Sequence, residues 1–115
     1  MSFSMNFSVI PSEVFKKETK RLIKKFPSLK QELAGLSTTL TNDPLSGTPL
    51  GNNTYKIRLA IKSKGKGKRA GGRVITYAVT EDKEVYLLII YDKSEFDNID
   101  DKTIKSIIAS LDLQE

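Results

Sequence analysis

The chain has 115 residues, a formal net charge of +5 from 19 Lys and Arg against 14 Asp and Glu, and neither cysteine nor histidine. Without cysteine there are no disulfides or thiolate sites, and without histidine the commonest general base and metal ligand are missing as well. The longest apolar run, Val85 to Tyr91, is far short of the ~20 residues that cross a bilayer, so the expectation is a cytoplasmic protein with no membrane contact, one domain over residues 1–115, and one modest core.

Met5 to Ile10 reads as a short extended segment closed by Pro11, and Ser12 stands where it would cap a helix. Val14, Phe15, Thr19, Leu22, Ile23 and Phe26 then recur at helical spacing, with Lys16, Lys17, Lys20, Arg21, Lys24 and Lys25 filling the other side. That pattern predicts an amphipathic helix ended by Pro27. Ser28 with Gln31 fits a capping box, and Leu29, Leu33, Leu36 and Leu40 continue at helical steps, so a second helix should follow as an antiparallel partner. Thr41 to Thr54, rich in Pro, Gly and Asn, is expected to be loop.

Strand signals begin at Tyr55. Tyr55, Ile57, Leu59 and Ile61 alternate with Lys56, Arg58, Ala60 and Lys62, the period of a strand with one face on a core. A Gly-rich basic stretch, Lys62 to Arg73, joins it as a long hairpin to Arg73 to Val79. A turn at Glu81 to Lys83 leads to Val85 to Tyr91, apolar throughout and expected as a central strand buried on both faces. Asp100 or Asp101 would cap a last helix carrying Ile104, Ile107, Ile108 and Leu111 on one side. The predicted fold is α+β in the order β-α-α-β-β-β-α, with a helical hairpin and a C-terminal helix on a small, mainly antiparallel sheet.

No acidic residue lies between Asp43 and Glu81, and that window holds Lys56, Arg58, Lys62, Lys64, Lys66, Lys68, Arg69 and Arg73. Residues 94–115 are acidic in balance, so charge divides into separate faces or tasks. Cations on one strand face, followed by a loop in which glycine admits close backbone approach, suit a polyanion, RNA foremost. A solvated loop is the bland counterpart. Cleaving RNA without a metal requires deprotonation of a 2′-hydroxyl, stabilisation of the phosphorane and protonation of the leaving oxygen. Lys68, crowded by Lys66, Arg69 and Arg73, has its charged form disfavoured and is the candidate base.

Two helices, then Tyr55-Lys56-Ile57-Arg58-Leu59-Ala60-Ile61, a basic hairpin, Gly71-Gly72-Arg73-Val74-Ile75, and Leu87 to Lys93 before an acidic last helix resemble the RelE/ParE superfamily of toxins from type II toxin–antitoxin systems. The resemblance is closer to the RelE/HigB-like branch than to ParE. It implies a RelE-like toxin domain acting as a ribosome-dependent, metal-independent messenger RNA endoribonuclease that inhibits translation, needs no cofactor, and is silenced by a cognate antitoxin protein. Its partners would be the ribosome and mRNA. By family position Arg58 and Arg73 would hold the scissile phosphate, while Tyr91 and Lys93 would orient a base and assist the leaving group. Lys56, Lys62, Lys64, Lys66 and Arg69 would bind RNA. A ParE-like topoisomerase inhibitor and a non-catalytic RNA- or ribosome-binding module are the alternatives. Arg73 shares strand parity with Ile75, Tyr77 and Val79, so either that face is covered, or Arg73 lies in the loop before the alternation, or an open face leaves an apolar stripe for an antitoxin segment.

Overall fold

Ser12 joins the first strand to the first helix, and its hydroxyl accepts from the Phe15 amide at 3.0 Å while donating to the Leu88 carbonyl at 2.7 Å. One buried side chain therefore caps a helix and ties it to a strand 76 residues away. The structure, a computed structural model, describes residues 6–64 and 71–111. Ser12→Ala would leave a helix N–H and a strand carbonyl without their partner. We expect it to cost about 1–2 kcal/mol, measured as a lower urea midpoint at an unchanged m value.

The elements are β1 (Ser8–Pro11), α1 (Glu13–Lys25), α2 (Leu29–Asn42), β2 (Thr48–Gly51), β3 (Thr54–Leu59), β4 (Gly72–Val79), β5 (Glu84–Asp92) and α3 (Asp101–Ala109), with 3-10 turns at Lys62–Lys64 and Thr80–Asp82. The five strands form one sheet in the order β1-β5-β4-β3-β2, and only the β1–β5 pairing is parallel. The α+β class and the predicted order hold, with one strand added. Where loop was expected, β2 pairs with β3 as an edge strand. Asn52 and Asn53, at φ of 54° and 63°, make the connection. Asn tolerates that region better than most residues, and a two-residue turn there matches the twist of a hairpin. Pro49 is admissible in β2 because an edge strand leaves some amide positions unpaired.

Helices α1 and α2 bury Phe15, Leu22, Phe26, Leu29, Leu36 and Leu40 against Val74, Val85, Leu87 and Ile90 on one face of the sheet. The opposite face carries Ile75, Tyr86, Leu88 and Tyr91 under Ile104 and Ile107 of α3. Asp100 caps α3 by accepting from the Thr103 amide at 2.9 Å. Strand β5 is buried on both faces as expected, but β4 holds the centre of the sheet. Pairing between β4 and β5 steps from Ile75↔Ile89 to Thr76↔Leu87, which leaves Leu88 as an extra residue. This bulge changes the phase of the strand, so Val85 and Leu87 face the α1–α2 side whereas Tyr91 faces α3.

The capping box at Ser28 does not form. Ser28 has helical backbone angles, and its Oγ donates to Glu32 Oε1 at 3.1 Å and accepts from the Ser63 amide at 2.9 Å. Glu32 Oε2 in turn accepts from the Lys62 amide at 2.7 Å. The 3-10 turn that opens the basic stretch competes for both side chains, and the start of α2 is thereby tied to it.

Candidate nucleic-acid interface

Because Ile57 and Leu59 pack toward α1 and α2, the alternation of β3 turns Lys56 and Arg58 to the other face. The register then places Arg58 opposite Arg73, and Arg73 opposite Tyr91. Lys56, Arg58, Arg73 and Lys93 line one cleft of about 290 Å³, walled by Thr48 and Leu50 from β2 and by Asp97 from the loop after β5. The strand that the sequence hid, β2, thus supplies one wall.

Side-chain contacts order these cations. Lys56 Nζ donates to Asn98 Oδ1 at 2.7 Å. Lys93 Nζ donates to the Asp97 carbonyl at 3.0 Å and lies 3.7 Å from its carboxylate. Arg58 is exposed, whereas Arg73 is only 6% exposed and donates through Nη1 to the Gly72 carbonyl at 3.0 Å. The loop that carries Asp97 and Asn98 is held to α1 by Arg21, which reaches both oxygens of Glu95 at 3.2 and 2.9 Å. That fork raises the guanidinium of Arg21 and holds the Glu95 carboxyl below its ordinary range.

The remaining predicted residues lie elsewhere. Tyr91 is 2% exposed, and its hydroxyl has no hydrogen-bond partner. Burial raises its pKa, with the charge of Arg73 pulling the other way. Shut from solvent under α3, Tyr91 packs behind the cleft and does not reach its lining. Tyr91→Phe should therefore leave RNA binding and cleavage within about twofold of wild type, and removal of an unpartnered hydroxyl should stabilise the fold by about 1 kcal/mol. A large loss of cleavage at unchanged stability would return the hydroxyl to the chemistry.

Lys64 turns inward, away from the cleft. Its ammonium pairs with Asp92, at side-chain exposures of 9% and 1%, and lies 5.6 Å from the ring centre of Phe26. Lys62 is exposed on the 3-10 turn. Lys66, Lys68 and Arg69 lie outside the described residues. The face beside Arg73 is covered: Ile75 is buried, and Tyr77 and Val79 pack against the cluster that includes Ile104 and Ile107 of α3.

Two residues that sequence reasoning passed over shape this region. Asp92 Oδ1 accepts from Lys64 and from the Ser94 amide at 3.0 Å and hydroxyl at 2.8 Å. Its burial alone would raise the carboxyl, but these donors outweigh it and hold the pKa low. Gly71 closes the hairpin, since a Cβ there would stand 2.2 Å from the Leu59 carbonyl oxygen, and its own carbonyl accepts from the Lys93 amide at 3.0 Å. An acid directly ending an apolar run buried on both faces was the available signal for Asp92.

No protein-family profile matches the sequence. Among solved structures, an arginine-to-alanine double mutant of the E. coli toxin RelE in the free state matches with a TM-score of 0.61 at 14% identity, covering 90% of this chain and 96% of that one. The fold is that of RelE. The likeness runs through nearly the whole of both chains. Among the described residues, no helix is long and apolar enough to cross a membrane.

Proposed function

We propose that this chain is a toxin of a type II toxin–antitoxin system, of the RelE/HigB-like branch, and that it cuts messenger RNA on the ribosome without a metal. The observation that carries this reading is the gathering of Lys56, Arg58, Arg73 and Lys93 in one cleft on a RelE-like sheet. Arg58 and Arg73 stand side by side on adjacent strands. Two planar guanidiniums so placed suit the oxygens of one phosphate and the charge that develops when the 2′-oxygen attacks it. Lys93, at the edge of that pair, is the candidate to assist the departing 5′-oxygen, and Lys68 stays the candidate base. RNA held this way would be released by salt, with a slope near −0.7 for each phosphate neutralised on a single strand.

The partners in this reading are the ribosome and mRNA, together with a cognate antitoxin that blocks the cationic cleft, and the setting is the cytoplasm. Charge complementarity favours an acidic, partly disordered inhibitor segment that orders on docking. A non-catalytic RNA-binding module is the second reading, favoured by the burial of Tyr91 and by the carbonyl and carboxylate of Asp97 already beside Lys93.

Induced expression followed by mapping of transcript ends tests the proposal. We expect growth arrest with new 5′ ends inside translated regions, and little cutting of naked RNA. Arrest with intact messages and altered DNA supercoiling would transfer the protein to the topoisomerase inhibitors. Ribosome binding without cleavage would leave the module reading.

A further inference from the structure

The cleft has one feature that a pure phosphate site would exclude: among its lining residues, beside Lys56, Arg58, Arg73 and Lys93, stands the carboxylate of Asp97. Its side chain is 95% exposed and lies 3.7 Å from Lys93 Nζ, so much of its hydrogen-bonding capacity faces water. A carboxylate repels phosphate oxygens and accepts only from N–H or O–H donors. The cleft therefore offers two kinds of contact to a nucleotide: Arg58 and Arg73 suit the phosphate, and Asp97 suits a group that donates.

The residues on either side of Asp97 in the chain also suit a base. Asn98 follows, with its amide oxygen on Lys56 at 2.7 Å and its NH2 without a described partner. Phe96 precedes, half exposed, its ring edge-on to Tyr91 at 6.4 Å between centroids. Exposed aromatic faces beside cationic grooves are stacking platforms for unpaired bases. The loop is held in place by Arg21 on Glu95, so these side chains approach the cleft from a tethered backbone.

On the RNA-binding reading of the cleft, we propose that Asp97 is a base-selecting residue, and that the base it selects is guanine. Guanine alone among the four RNA bases offers two parallel donors on one edge, the N1–H and the exocyclic N2–H, which match the two oxygens of a carboxylate. Adenine and cytosine offer one amino group beside an acceptor, and uracil offers one imino N–H between two acceptors that a carboxylate repels.

The test is binding by the full chain of 2′-O-methyl hexauridylate, which resists cleavage, against the same oligomer with one central guanine, adenine or cytosine. A bidentate contact of this kind is worth ~1–3 kcal/mol of discrimination; at so exposed a site the lower end applies, and the guanine oligomer should bind about fivefold to tenfold more tightly than the others. Asp97→Asn should erase that preference while still binding all four oligomers. Equal affinity of wild type for the four oligomers would overturn the proposal. So would a uniform gain of affinity in Asp97→Asn with the base ranking unchanged, since Asp97 would then be only a repulsive charge. If wild type bound none of them, or Arg58→Ala bound them as tightly as wild type, the RNA reading of the cleft itself would fall and guanine selection with it.

Discussion

Arg58→Ala is expected to lower message cleavage by about 10²–10³ and to leave the melting temperature where it was. Loss of one donor that stabilises developing charge typically costs that much in rate, whereas an exposed substitution usually changes stability by less than about 0.5 kcal/mol. Arg58 is exposed on β3 beside Arg73, so the two effects separate cleanly there. They do not separate at Arg73, which is 6% exposed and shares its face with Ile75 and Tyr91. Arg73→Ala should lose both activity and stability. Arg73→Lys is the sharper variant, because it keeps charge and most of the packing but not the planar fork. We expect Arg73→Lys to fold and to cleave poorly; full activity would reduce Arg73 to a point charge.

Asp92→Ala should destabilise the fold by about 3 kcal/mol, because removing one member of a buried ion pair leaves the other in a poorly solvated site. The figure sits at the low end of the usual range because the ammonium of Lys64, 9% exposed, has a short path to water. Chemical denaturation at pH 7 measures it. The same carboxyl gives a pH dependence whose sign follows from its lowered pKa. A carboxyl depressed by folding contributes its full stabilisation above the ordinary carboxyl value near 3.9 and loses it as the pH falls through the folded value. Stability should therefore decline below about pH 4, with Glu95 and Asp100 adding to the same limb. Asp92→Asn should flatten part of that decline. An acid limb identical to that of wild type would mean that Lys64 and Asp92 are not coupled in solution.

The helices were legible because their signals are local. The stripe from Val14 to Phe26 and the caps Ser12 and Asp100 lie within a few residues of what they order. Alternation at Tyr55 to Ile61 likewise showed that Lys56 and Arg58 leave the core, and register then brought Arg73 beside them. Edge strand β2 was hidden because Pro49 and Gly51 signal loop unless one knows that Asn52 and Asn53 close a hairpin onto β3. Tyr91 looked available because its end of β5 looked like a site margin, and nothing local revealed that α3 covers that face. Lys64 counted among the cations of the basic stretch, but its partner Asp92 is 28 residues on, and a pairing at that separation leaves no periodic trace. Asp97 belongs to the acidic tail by composition and to the cationic cleft by geometry.

The sheet order has a consequence for synthesis. Strand β1 is the first to leave the ribosome, yet its partner in the sheet is β5, the last strand made. Contacts this distant along the chain assemble late and slowly. The cleft shares that delay, since Lys56 and Arg58 must wait for Arg73, then Lys93, then Asp97. A nascent chain halted anywhere before β5 presents one basic-faced helix, α1, and an open sheet edge but no assembled cleft. If the cleft acts as proposed, the order of translation withholds that activity until Lys93 and Asp97 have been made.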